Sequence, residues 1–329
     1  MKMRPLFFNH CKVDMELFSV RFLALDRVPR LLPTEWVSTE KLQERLVELT
    51  LASIPPNFPL PRVQVRNLLE AITRTCESSN LVVIEDVYER LVELDVNRDY
   101  PDEVFGHYRI GDRNFVFRVH GDPHALVQDG STGFITWEAG KCLSWYLACV
   151  HNIRDKRIME IGCGTGITGI VTSAFQPINE YMFTDYHGST LKNASQNCAV
   201  NKHLGNCSDV AKFRQIDMLK NQDLVETDII VGSDILYDES LARGLVRFLE
   251  QQEVVFKEAL IVSTIRTEAT YEVFLDSLRT STKLKFESIR KQPFSEWAQL
   301  PEENAWKFYL DSATRLFDPV INLVRIVPV

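Results

Sequence analysis

The chain has no run of apolar residues near the ~20 that a membrane-spanning helix needs, so no such helix is expected. It has no Cys-x-x-Cys pair. Its cysteines stand apart at 11, 76, 142, 149, 163, 198 and 207, an odd number that argues against a disulfide framework or a structural zinc. A reduced compartment and no metal are therefore expected, and His120 and His124 read as loop histidines because no ligand partners stand at a recognisable spacing. Basic residues are not in excess: 37 Lys and Arg face 45 Asp and Glu, for a formal net charge of −8. That balance excludes a generally basic nucleic-acid binder and suits attraction to a basic protein surface. Two catalytic signatures are also missing. No Tyr-x-x-x-Lys arrangement serves nicotinamide chemistry, and no Asn/Asp-Pro-Pro-Tyr/Phe serves methylation of exocyclic amines. Internal repeats and low-complexity stretches are absent, and Met1 to Pro5 followed by apolar residues that His10 and Lys12 soon interrupt makes a poor signal peptide.

What is present fits an ordinary globular chain. At 329 residues, 45% hydrophobic and 25% charged, it has length for about two domains and material for a sizeable core. Residues 14–95 read as helical, with apolar periodicity over 13–26, a helix capped by Thr39 through Leu42, Leu46, Val47 and Leu49, and further segments at 65–75 and 82–94. Pro55, Pro56, Pro59 and Pro61 interrupt the pattern. Residues 98–102 look like a linker, and 104–110, 114–119 and 125–128 read as the strands of a hairpin or meander. The expected division is a helical region over 1–97, a β linking element over 98–130 and a catalytic domain over 131–329.

From Thr136 onward strands and helices alternate. Strands are expected at 157–161, 181–184, 213–216, 228–232 and 259–264, with helices at 137–149, 189–201, 239–250 and 267–278. Such alternation implies right-handed crossovers and a mainly parallel, doubly wound α/β sheet. Two β-rich stretches at 283–289 and 320–327 are expected to pair antiparallel at its edge, separated by a long, partly polar insert.

The strongest local signal is Met159-Glu160-Ile161-Gly162-Cys163-Gly164-Thr165-Gly166-Ile167-Thr168-Gly169, between an apolar strand and an apolar helix. Glycines at such a turn let a ligand approach the backbone at the carboxyl edge of the sheet. Gly164-x-Gly166-x-x-Gly169 also fits the dinucleotide fingerprint, so spacing alone leaves the cofactor open. Charge narrows the choice. Glu160, Asp185, Asp217 and Asp234 stand at successive strand ends. Glu160 would repel a pyrophosphate but suit a cofactor bearing an ammonium and a sulfonium. Asp185, 23 residues after Gly162, is placed to accept from ribose hydroxyls, and Asp217 to meet an adenine amino group or merely to cap a helix.

These residues resemble the class I, seven-β-strand methyltransferases. The resemblance implies S-adenosyl-L-methionine held by Glu160, Gly162, Gly164 and Gly166, with Asp185 on the ribose and Asp217 at the adenine. Asp234-Ile235-Leu236-Tyr237 resembles the Asp-x-x-Tyr motif of the protein-lysine branch, and Gly133-Phe134-Ile135-Thr136-Trp137-Glu138 its upstream element. The branch implies Asp234 and Tyr237 as catalytic residues, with Trp137 and Ser233 beside the cofactor. From the residues alone, Trp137 can also be read as a core aromatic and Tyr237 as a loop tyrosine, and Arg266 is as readily a surface cation as a site residue. Phe183-Thr184-Asp185-Tyr186-His187, Ser263-Thr264-Ile265-Arg266 and the helical N-terminal region extend the similarity to the group that methylates translation elongation factor 2. That implies a monomeric cytoplasmic enzyme with this protein partner, no membrane and no direct nucleic-acid contact.

Overall fold

The computed structural model describes residues 15–25, 28–52, 54–96, 101, 103–121, 125–207, 209–220, 223–311 and 318–329. Two compact units divide the chain, residues 1–109 with 312–314 and residues 110–311 with 315–329. Among the described residues no helix is long and apolar enough to cross a membrane.

The first unit contains α1 (Met15–Leu23), α2 (Glu40–Val47), α3 (Arg62–Ser78) and α4 (Glu85–Val96). Thr39 is extended and its hydroxyl accepts from Leu42 N at 3.3 Å, the expected N-cap of α2. The proline cluster ends at Pro61, whose fixed φ of −54° leads directly into α3. Phe22, Leu46, Leu68, Ile72 and Val87 form its core. Gln43 is buried among them and fully used. Its amide donates to Val37 O and Val82 O at 3.0 and 2.8 Å, and its carbonyl accepts from Ile84 N at 3.1 Å. Apart from Pro101, the expected linker at 98–102 lies outside the described residues, as does His124.

β1 (Phe105–Ile110) and β2 (Arg113–Arg118) form a two-stranded sheet. The third strand expected at 125–128 is not formed. Asp129 and Gly130 both adopt positive φ, 49° and 74°, and the chain reverses so tightly that only an isolated Gln128–Ser131 bridge remains. β2 is instead tied to a helix of the second unit, through Asn197 and Asn201 (below).

The second unit continues with α5 (Glu138–Trp145), β3 (Arg157–Ile161), α6 (Ile167–Phe175), β4 (Glu180–Asp185), α7 (Gly188–His203), β5 (Ala211–Gln215), β6 (Ile229–Ser233), α8 (Glu239–Gln252), β7 (Glu258–Thr264), α9 (Glu268–Thr280), β8 (Leu284–Pro293), α10 (Phe294–Trp297), α11 (Asn304–Asp311) and β9 (Val320–Pro328). The strands make one 7-stranded sheet in the order β5-β4-β3-β6-β7-β9-β8. β3 to β7 run parallel, while β9 is antiparallel to both β7 and β8. The chain winds outward from β3 to β5 and then returns to β6 on the other side of β3. The carboxyl ends of β3 and β6 therefore flank the topological switch point, where open α/β sheets bind ligands.

Met159, Ile230, Phe248, Phe274 and Val324 belong to the apolar cluster on one face of this sheet. Asn197 and Asn201 on α7 carry the β2 edge: Arg118 N donates to Asn197 Oδ1 at 2.8 Å, and Val116 exchanges both backbone bonds with the Asn201 amide. The insert is more ordered than its polarity suggests. β8 runs on to Pro293, and α10 and α11 bury Phe294, Trp297, Trp306, Tyr309 and Leu310. Tyr309 hydroxyl lies 2.7 Å from Ser144 Oγ on α5, and Trp297 stands edge-on to Trp145.

Candidate active site

β3 ends in the glycine turn, where Gly162, Gly164 and Gly166 all have positive φ, 65°, 54° and 82°. Side-chain-bearing residues rarely take that conformation, and at Gly164 a Cβ would also stand 3.2 Å from Gly133 O. Backbone bonds fix the turn. Cys163 N donates to Thr184 O at 2.8 Å, Gly166 N to Cys163 O at 2.8 Å, and Gly164 N to the Asp185 carboxylate at 3.1 Å. Gly169 serves a different purpose. A Cβ there would lie 2.4 to 2.5 Å from the rings of Tyr181 and Phe183, so this glycine lets α6 pack on β4. The third glycine of the fingerprint is thus explained by helix–strand packing.

The structure separates the strand-end acids. Asp185 lines the cleft, accepting from Gly164 N and from His187 N at 3.0 Å, and burial lifts its pKa against those bonds. Asp234 also lines it. Glu160 lies wholly buried, where Tyr181 hydroxyl donates to one oxygen at 3.0 Å and Thr168 also acts on the carboxyl group. Burial pushes its pKa up to about 8, so near neutrality it is largely uncharged. Asp217 is turned to Leu219 N at 3.0 Å and Lys220 at 3.1 Å, lining a neighbouring shallow hollow with Tyr186, His187 and Gln215. Of the acids at strand ends, Asp185 and Asp234 therefore supply the cleft's negative charge.

Asp234 follows β6 with φ 51°, a left-handed conformation that aspartate tolerates better than most residues. Its carboxylate accepts from Thr264 N at 2.7 Å and from Thr264 Oγ1 at 3.0 Å, and Arg266 Nη2 lies 3.5 Å away. Burial raises its pKa; Thr264 and Arg266 oppose that rise. Thr264 ends the adjacent β7 and thus aims a residue on β6. Its position in the Ser263–Arg266 segment is the signal in the sequence for this role. Arg266 also covers the Trp137 ring, its guanidinium carbon 4.7 Å from the ring centre.

Residues 130–137 run along the cleft mouth. Ser131 accepts from Thr190 at 3.0 Å, Thr136 and Thr165 hydroxyls meet at 3.2 Å, and Trp137 Nε1 donates to Thr132 O at 3.1 Å. Trp137, Ser233 and Tyr237 all line the cleft. Tyr237 is 65% exposed.

The cleft encloses about 240 Å³, and among the described residues neither lysine nor arginine lines it. Arg266, at its edge, is already engaged by Asp234 and the Trp137 ring, so a pyrophosphate would find no uncommitted lysine or arginine lining the cleft among the described residues. A positively charged nucleoside would meet Asp185 and Asp234, and the turn leaves the close approach that a Cβ would fill. Residues 125–281 match the lysine methyltransferase family. The matched stretch carries the glycine turn, Trp137, Asp185 and the Asp234–Tyr237 segment. The chain is an S-adenosylmethionine-dependent enzyme that transfers methyl groups to lysine. The protein-lysine N-methyltransferase EEF2KMT of Mus musculus is 24% identical over 290 residues, 80% of this chain and 85% of that protein. The protein-lysine N-methyltransferase EFM3 of Chaetomium thermophilum is 24% identical, over 78% of this chain and 84% of that protein. A putative uncharacterized protein of Dictyostelium discoideum is 30% identical over 177 residues, 44% of this chain, so the chain spans about half (49%) of that relative's length. Among solved structures, magnesium protoporphyrin IX methyltransferase of Synechocystis with bound SAM is 14% identical with a TM-score of 0.39, covering 58% of this chain and 78% of that one.

Proposed function

We propose that this methyltransferase modifies a lysine of translation elongation factor 2 in the cytoplasm, acting as a monomer whose N-terminal helical unit recognises the protein substrate. The observation that carries the site chemistry is Asp234, held at the cleft edge by Thr264 with Tyr237 open beside it. The protein partner is supported by the relatives named EEF2KMT and EFM3, which align over 80% and 78% of this chain.

The roles follow from the residues. The turn at Gly162, Gly164 and Gly166, with Asp185, Ser233 and Trp137 on the cleft wall, would hold S-adenosylmethionine, and Glu160 lies buried behind Ile161 against Tyr181. Bound there, the cofactor supplies an electrophilic methyl group, so the hard chemistry is its own. The protein must orient the lysine amine and present it neutral, against an ordinary pKa near ~10.4. Asp234 orients the amine through its carboxylate, and Tyr237 offers a hydroxyl beside it. Asp217 lines the adjoining hollow with Tyr186 and His187, which also line the cleft, and would meet the adenine from there.

Recognition of a basic protein fits α4. Tyr88, Val92 and Val96 stand four residues apart on its exposed face, and Glu85, Glu89 and Glu93 form a parallel acidic row.

The test is incubation of purified elongation factor 2 with the chain and methyl-deuterated S-adenosylmethionine, followed by peptide mass spectrometry. Label on one lysine is expected, and D234A should lose it by about 100-fold or more while cofactor affinity holds. Unimpaired turnover by D234A removes the role given to that residue. Label confined to other proteins of an extract reassigns the partner.

A further inference from the structure

Arg266 occupies an unusual position for a surface cation. Its side chain is 42% exposed, yet its guanidinium is engaged twice at the cleft edge. Nη2 lies 3.5 Å from Asp234 Oδ2, and the guanidinium carbon lies 4.7 Å from the Trp137 ring centre. A carboxylate and an aromatic face converging on one cation are the elements of an organic-cation site, because the ring quadrupole and the carboxylate both favour positive charge. Both partners line the cleft, whereas Arg266 reaches them from the loop after β7. Asp234 is braced independently by Thr264, so its place does not depend on Arg266. Glu138, at the start of α5, is close enough to add its negative charge to the field at Asp234.

We propose that Trp137 and Asp234 form an alkylammonium subsite, and that Arg266 fills it with its own guanidinium until a substrate lysine displaces it. The subsite deepens the methyl-transfer reading above and rests on it for the identity of the incoming lysine. Arg266 is a positioning residue here. It keeps the two walls of the subsite apart and charge-balanced in the absence of substrate, and any entering cation must compete with it. The device selects for a ligand that offers more than an ammonium, since displacing a tethered guanidinium requires contacts elsewhere on the protein substrate.

The competition can be measured without cofactor or turnover. Calorimetric titration of the full chain with n-butylammonium at constant ionic strength should give roughly tenfold tighter binding to R266Q than to the unaltered chain, whereas R266K should match the unaltered chain. Adding D234N to R266Q should abolish the gain. Equal affinity of R266Q and the unaltered chain overturns the proposal and leaves Arg266 as a surface cation. A second reading needs no change at Asp234 or Arg266 and uses only the unaltered chain and W137F. Saturating n-butylammonium should change the emission assigned to Trp137 by subtracting the W137F spectrum, and an unchanged difference spectrum counts against the subsite. Because these titrations involve no methyl transfer, a negative result beside intact methylation sinks the subsite alone, and a positive one beside absent methylation sinks the function alone.

Discussion

At the scale of residues, the informative contrast lies between Glu160 and Asp234, two acids at strand ends with opposite fates. Asp234 takes a left-handed turn out of β6 and is met by Thr264 on the next strand, which fixes its carboxylate at the cleft. Glu160 precedes Ile161, and strand alternation puts neighbouring side chains on opposite faces, so Glu160 is buried against Tyr181 while Ile161 lines the cleft. Its pKa stands near 8 instead of the ordinary 4.5. The folded state therefore binds a proton that the unfolded chain has released, and stability falls as pH rises from about 4.5 towards 8. E160Q carries no such proton. Urea unfolding of the cofactor-free protein at several pH values should show a flatter stability profile for E160Q across that window, and parallel profiles would refute the burial account. The four strand-end acids were visible in the sequence, but which of them face the cleft was not. Facing depends on strand phase at the last residue and on local capping, as Asp217 shows by turning to Leu219 N and Lys220.

At the scale of elements, the parallel strands and their crossover helices were legible because apolar strands alternate with amphipathic helices over the whole second unit. The β8–β9 pairing was equally plain. Two features were not. The expected strand at 125–128 is replaced by a reversal at Asp129-Gly130, a short-range turn that overrides alternation. The insert reads as polar on average, yet its aromatic residues gather onto α10 and α11 and are buried in the second unit, a tertiary effect that averages conceal. α4 presents its own expectation. Reversing its acidic row with E85K/E89K/E93K should raise KM for a basic protein substrate about tenfold, with kcat and cofactor affinity held. Steady-state kinetics against calorimetry separates the two, and an unchanged KM would remove α4 from recognition.

At the scale of the whole molecule, one electrostatic contrast organises the account. The chain is acidic, with a net charge of −8, and its cleft offers Asp185 and Asp234 with no lining lysine or arginine among the described residues. Both features favour positive charge, in a cofactor at the glycine turn and in a lysine-bearing protein outside it. The glycine spacing alone fits dinucleotides as well; the charges around it and the motifs that flank it are what separated the two. Calorimetric titration of the purified chain with S-adenosylmethionine tests this most directly, with a dinucleotide run beside it and G164R as the control for the turn. Micromolar binding of S-adenosylmethionine that G164R abolishes, with no heat from the dinucleotide, is the expected result. Dinucleotide binding at the same turn with S-adenosylmethionine ignored would contradict it.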